Sequence, residues 1–440
     1  MDIKELSSIL QENGVVGAGG AGFPTYAKLS EKAETIILNC AECEPLLRLH
    51  QQLLKKYAKE IVDTFHLIGE TVGAKEIIIG IKKHYKDTIK ALNDVLGAYP
   101  NVRLGLLDEV YPAGDEVVLI YEVTGKVVKP GGLPIESGVA VFNVETVYNA
   151  YRALSGQGPV TEKYVSVVAE VEQPITVKVP LGTTLDEVVA MAGGVTTKNP
   201  VYFVGGPMMG NIGVGSQPVT KTTNAILVLP EDHYLVERKR SNSSIDLKRA
   251  AASCCNCSMC TDLCPRNRLG HPIEPHLFMR AATFKDVQDP NIFLNTYFCC
   301  SCGLCELYSC FQGLSPRTLM TEYKGQLKAN GVPMPQVTPK PVGPEREYRK
   351  VPMKRLMARL DLVKYNKDAP LDEKEQGVKA VKILLSQHIG APAKAIVKVG
   401  DKVKKGQLIA EPGKGLSVGI HATISGTVGT VDDRFITIQG

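Results

Sequence analysis

Cys254-Cys255-Asn256-Cys257-Ser258-Met259-Cys260-Thr261-Asp262-Leu263-Cys264-Pro265 has the spacing C-x2-C-x2-C-x3-C-P, a run that holds iron–sulfur clusters. A second run follows as Cys299-x2-Cys302-x2-Cys305-x4-Cys310, with Phe311 where a proline is usual. Three cysteines so closely spaced can place thiolates on three corners of one cubane, and the fourth must come from farther along the chain. Where two runs occur together, the fourth cysteine of each ligates the other cluster. This reading assigns Cys254, Cys257, Cys260 and Cys310 to one [4Fe-4S] cluster, and Cys299, Cys302, Cys305 and Cys264 to a second. Zinc is the rival, but a zinc site would use two C-x2-C pairs, whereas three cysteines plus a fourth occur here twice. Short-spaced cysteines inside a long chain also fit metal chemistry better than disulfides. Cys255 and Cys300 are surplus and read as small buried hydrophobes.

Outside the two runs the chain is ordinary. Its 440 residues predict two to four domains, and 44% hydrophobic with 22% charged residues is a globular balance. A net charge of +5 indicates no nucleic-acid partner. No apolar run reaches the ~18–20 residues of a spanning helix, and Met1 to Leu10 lack a signal-peptide pattern. Peripheral membrane association stays open. Twelve cysteines without an export signal imply a reducing, anaerobic cytoplasm.

Towards the N-terminus a short helix over 1–13 precedes the glycine cluster Gly14 to Gly22. Such a cluster permits close backbone approach and positive φ, and its amides could cradle a phosphate. It could equally be a turn, and it does not follow a strand as G-x-G-x-x-G requires. Apolar segments predict strands at 35–38, 76–81, 102–107 and 139–142, with helices over 46–72 and up to Leu96 between them. The alternation indicates an α/β layer. Polar clusters follow three of these strands: Asn39-Cys40-Ala41-Glu42-Cys43-Glu44-Pro45, Gly114-Asp115-Glu116 and Asn143-Val144-Glu145-Thr146. Ligands gather at such strand ends in open α/β sheets.

These motifs, with Gly17-Ala18-Gly19-Gly20-Ala21-Gly22-Phe23-Pro24-Thr25, stand in the order seen in the flavin-binding subunit of respiratory complex I. The chain resembles the C subunit of Rnf electron-transport complexes more closely, and the cobalamin-reductase branch of propanediol-utilisation microcompartments most closely. Gly205-Gly206-Pro207-Met208-Met209-Gly210 and both cysteine runs belong to that likeness. It implies FMN at Gly17, Gly19, Gly20, Lys28, Asn39, Glu42, Gly114, Asp115, Asn143 and Thr146. Phe23, Glu44 and Glu116 would line an NADH site. Ala18 and Ala41 replace an arginine and an aspartate of the complex I pattern, removing polar contacts. Cys40 and Cys43 form a C-x2-C that could exchange electrons with a flavin, but no thioredoxin-like context surrounds them and packing is the favoured reading.

The implied architecture is multidomain, α/β together with α+β: an FMN/NADH domain over 1–160, an SLBB β-grasp domain over 161–235 and a helical ferredoxin-like domain with two [4Fe-4S] clusters over 245–332. A linker over 333–375, stiffened by five prolines from Pro333 to Pro344, leads to a barrel-sandwich hybrid over 376–440. The SLBB unit is expected to be a spacer, with Thr184 capping its helix. Residues 236–248 read as a basic linker, Ser315 as the N-cap of a helix, and Arg266 and Arg268 as solvated charge. Lys414 falls at a lipoyl-like position without an acceptor's flanks. The function implied is NADH-dependent electron transfer through FMN and two clusters to a protein-bound acceptor, cob(II)alamin at a corrinoid adenosyltransferase first. That protein would sit in the cytoplasm, within a microcompartment or on the inner membrane face. Alternatives are an Rnf subunit, the electron donor of a proline reductase, or a non-enzymatic relay with an empty flavin pocket.

Overall fold

A computed structural model describes residues 1–240, 242–284 and 288–440. At its centre is a four-stranded parallel sheet in the order Val102–Leu107, Glu76–Lys82, Thr35–Cys40, Val139–Asn143. Its inner strands are apolar almost throughout because both faces are covered. Ile36, Leu38, Ile77 and Ile79 pack under the helices Ala58–Val72 and Val144–Leu154. Ile37, Ile78 and Val141 face the helix Glu116–Thr124 on the other side. The chain runs outward from Thr35–Cys40 along one side and then returns to its other side, so the strand order reverses beside Asn39 and Asn143.

The helix expected over 46–72 is two helices, Leu49–Lys56 and Ala58–Val72. Tyr57 divides them: its ring stacks on Tyr148 at 4.5 Å and its hydroxyl donates to Glu373 at 2.7 Å. The expected stretch also begins late, since Leu46 has a φ of +71°.

A six-stranded sheet holds Glu162–Ala169, Ile175–Pro180, Pro200–Val204, Asn211–Gly213 and Ala225–Pro230. Thr184 and Glu187 cap its helix Leu185–Met191 reciprocally, as expected from the sequence. The sixth strand, Leu371–Asp372, comes from the segment read as a linker. That segment also pairs Val351–Pro352 with Val110–Tyr111 and packs Leu356 into the same core as Phe203 and Leu304. It is a strap across two domains.

The described residues of 236–248 are likewise largely helical. The helices Tyr234–Lys239 and Ser243–Ser253 start where His233 and Asn242 accept backbone N–H bonds. Arg238 is buried and donates to Leu314 O and Ser315 Oγ. Ser315 does precede the helix Pro316–Ala329, yet its side chain makes no capping bond. Glu306 does that work, accepting from Thr318 N at 2.8 Å. Two small sheets form the C-terminal domain, which docks on the glycine loop through Ile389 N to Ala21 O at 2.9 Å. Lys414 lies on an exposed bend there. No helix among the described residues is long and apolar enough to cross a membrane.

Between the helix Val144–Leu154 and the six-stranded sheet, Glu145 and Lys163 form an ion pair whose side chains are each 1% exposed. Removing one partner strands a charge in the interior. Lys163→Met should cost about 3–5 kcal/mol in denaturant unfolding, and Glu145→Gln added to it should restore most of that. A single variant as stable as the parent would show that the pair is not needed.

Candidate functional site

At the strand-order reversal, where open α/β sheets bind ligands, lies a cavity of about 440 Å³. That is within the ~300–1,000 Å³ range of small-molecule sites. Gly17, Gly19, Gly20, Phe23 and Lys28 line it from the glycine loop, and Asn39, Glu42 and Glu44 from the central strand end. Gly114, Glu116, Asn143 and Thr146 complete the set that sequence reading placed there. Asp115 is the exception. It is turned away as the cap of Glu116–Thr124, accepting from Val118 N at 3.1 Å.

Local bonding explains these positions. Thr146 Oγ1 accepts from Ala18 N at 2.9 Å and Gly17 N bonds Phe23 O at 2.8 Å, closing the loop on itself. Gly20 has a φ of +62° and faces open space, so it leaves the cavity wall bare. Lys28 Nζ donates to Val141 O at 2.8 Å and stands 3.6 Å from Glu116. Asn39 bridges the Gly114 carbonyl and the Ala41 amide.

The Glu42–Pro45 loop carries two carboxylates that the backbone holds. Glu42 accepts from His50 N at 2.9 Å, and burial pushes its pKa up to about 7. Glu44 accepts from Met208 N at 2.8 Å and Met209 N at 3.0 Å, and burial likewise raises it to about 7. Any side chain at Gly206 would collide with Glu44, which gives the Gly205–Gly210 motif its purpose. Cys40 turns into the helix-covered core, whereas Cys43 lines the cavity with its thiol held up at about 12 by burial. Both are free.

Sequence reading missed Thr25, His50 and Asn224, which also line the cavity. Thr25 Oγ1, His50 Nδ1 and Asn224 Oδ1 are buried and find no hydrogen-bond partner among the described residues. A wall with three unsatisfied polar atoms suits a polar ligand such as FMN. Thr25 closes the glycine-loop motif, but no motif announces His50 or Asn224, and Asn224 comes from the other domain.

Beside this domain the cysteines surround two hollows. One is lined by Cys254, Cys257, Cys260 and Cys310, the other by Cys264, Cys299, Cys302 and Cys305. The same backbone trick recurs in each run: Asn256 and Ser258, like Ser301 and Gly303, have positive φ flanking the middle cysteine. Among the described residues no three His, Cys, Asp or Glu side chains are placed to hold a single ion. Soft thiols round an apolar hollow suit an iron–sulfur cluster. Burial keeps the Cys260 and Cys264 thiols up at about 12, so metal binding is what would ionise them. Each surplus cysteine lines a hollow, Cys255 the first and Cys300 the second, and Cys255 is exposed rather than buried.

The second hollow abuts the cavity domain. Arg266, next but one to Cys264, pairs with Asp115 at 2.8 Å, and Tyr111 Oη donates to Cys302 O at 2.7 Å. Arg268 pairs with Asp262 at 2.8 Å, so neither arginine is the solvated charge expected. A Cβ on Gly114, adjacent to Asp115, would lie 3.2 Å from Cys43 Sγ.

Because Glu44 titrates near 7 when folded and near its ordinary 4.5 when unfolded, the folded protein keeps a proton that the unfolded chain gives up between those values. Its contribution is therefore fullest at low pH and is lost as pH rises to about 7. Relative to Glu44→Gln, the parent should lose about 2–3 kcal/mol between pH 5 and 8. A stability difference flat across that range would contradict the burial described.

Four family models match successive parts of the chain: the Nuo51 FMN-binding domain over 10–152, the SLBB domain over 164–211, a 4Fe-4S dicluster domain over 253–315 and the RnfC barrel sandwich hybrid domain over 363–440. The cobalamin reductase PduS of Salmonella typhimurium is 42% identical over 99% of this chain and 96% of its own. That of Citrobacter freundii is 40% identical over 99% and 97%. The C subunit of the ion-translocating oxidoreductase complex of Pectobacterium atrosepticum is 32% identical over 66% of this chain and 41% of its own. FMN and [4Fe-4S] clusters are thus the cofactors of the matched domains, built on a mixed α/β architecture. With identity of this order sustained from end to end, the chain belongs to the family of the cobalamin reductase PduS.

Proposed function

We propose that the protein is an NADH-dependent oxidoreductase that passes electrons singly to a protein-bound cobalamin. FMN, when bound, takes electrons in pairs from a nicotinamide and releases them one at a time to iron–sulfur centres. The observation that carries this reading is the bridge between the glycine-loop cavity and the second cysteine hollow: Asp115, next to cavity-lining Gly114, pairs with Arg266 of the hollow, and Tyr111 donates to Cys302 O. In this reading Cys264, Cys299, Cys302 and Cys305 hold the cluster next to the flavin. Cys254, Cys257, Cys260 and Cys310 hold the outer one, which reaches solvent at Cys257.

The protein's own part is placement. Lys28, Asn39, Asn143 and Thr146 line the cavity, and Phe23, Glu44 and Glu116, which line it too, would meet the nicotinamide. Arg266 puts a cation beside the inner thiolates, and Arg317, paired with Glu306 at 2.9 Å, adds another. The acceptor is cobalamin on a partner such as a corrinoid adenosyltransferase, in keeping with the names of the full-length relatives. The cytoplasm, or a microcompartment within it, suits such a partner.

Anaerobically purified protein should carry about eight iron and eight sulfide per chain with one FMN, and NADH should bleach it. Cys310→Ser should leave the first, NADH-driven cluster reduction intact while abolishing cob(II)alamin reduction. Cys264→Ser should impair both. Zinc in place of iron, or equal loss of cluster reduction in the two variants, would defeat the reading.

A further inference from the structure

We propose that the Nδ1–H of His50 donates a hydrogen bond to an acceptor atom of the cofactor in the glycine-loop cavity, which makes His50 a binding residue of that site. The inference rests on the flavin reading above and adds a contact that neither the family motifs nor the cavity's glycine loop supplies.

The chain of bonds fixes the tautomer. Asn143 Oδ1 accepts from Glu145 N at 2.9 Å and Thr146 N at 3.3 Å, so the oxygen of that amide is committed to the helix start. Its Nδ2 must then face His50 Nε2, 3.0 Å away. An amide nitrogen can only donate, so Nε2 is the acceptor. Burial, with Lys163 nearby, pushes the His50 pKa down to about 3. The ring is therefore neutral, and its single proton sits on Nδ1. That atom is buried and has no partner among the described residues, although the residue lines the cavity. An unpaired buried donor is rare in native folds. As acceptors FMN offers its ring carbonyls, the ring nitrogens N1 and N5, the ribityl hydroxyls and the phosphate oxygens.

The ring is also held still. His50 N donates to Glu42 at 2.9 Å, and the helix Leu49–Lys56 starts one residue earlier. Glu42 and Asn143, which the motifs placed on the flavin, thus orient a third residue that touches it.

The test uses the full-length, cluster-bearing protein stripped of flavin and titrated with FMN by fluorescence quenching. His50→Phe keeps the ring volume without the donor and should weaken binding about tenfold. His50→Asn places an N–H near the lost Nδ1–H and should recover most of it. Nitrogen-15 histidine spectra of the parent should show an Nδ1-protonated neutral ring whose proton becomes exchange-protected on adding FMN. Binding by His50→Phe within twofold of the parent, or an Nε2-protonated ring, would overturn the proposal alone. A parent chain that takes up no FMN would overturn the flavin reading and this proposal with it.

Discussion

The pairing of Asp115 with Arg266 is the constraint on which the arrangement turns. Both side chains are largely buried, at 12% and 16% exposure, and a charge in that setting persists only with its partner in place. Asp115 follows the glycine that walls the cavity, and Arg266 follows the cysteine that closes the inner hollow. One ion pair therefore fixes two centres built from distant parts of the chain. Tyr111, donating to the Cys302 carbonyl, adds a second tie a few residues from Asp115. Had Asp115 pointed at the flavin, as the family motif suggested, Arg266 would have been left buried without a counter-charge.

Strain in the acidic loop is offset in the same manner. Glu42 and Leu46 both adopt positive φ without being glycine, a conformation that survives only where surroundings impose it. The imposing bonds are on either side: backbone amides of the helix start hold Glu42, and backbone amides of Met208 and Met209 hold Glu44. Burial raises the pKa of both carboxylates, and the amide bonds and nearby cations offset only part of that rise.

What could be read in the sequence divides along a physical line. The grouping of the cysteines was legible because metal–thiolate geometry dictates their spacing, and the structure gathers each expected set of four round its own hollow. The parallel sheet was legible because strands covered on both faces must be apolar. The break at Tyr57 was not, since it answers to Tyr148 and Glu373 far along the chain. Ser315 looked like a cap because serine commonly is one; Arg238 occupies it, and Glu306 caps instead. His50 and Asn224 carry no motif, because their role depends on which polar atoms tertiary packing leaves unpaired.

The β-grasp domain is accordingly more than a spacer. Its Met208–Met209 amides hold Glu44 on the cavity's edge, and Met208 O lies within 3.4 Å of a Cβ placed on Gly303 in the inner cysteine run. The following segment sends Asn224 into the cavity, so close to Gly19 that a Cβ there would fall 2.7 Å from its Nδ2. Lys221 of the same segment, buried and with no carboxylate partner among the described residues, donates to Gly14 O at 2.7 Å and Gly419 O at 3.5 Å, stitching the glycine loop to the C-terminal domain. Burial brings that lysine down to about 7, so its stitch uses carbonyl dipoles where a full counter-ion would be expected. A domain that supplies one wall of the cavity, a buttress for its acidic loop and the joint to a third domain cannot be lengthened or removed without reshaping the site, and this is a physical reason for these modules to share one chain.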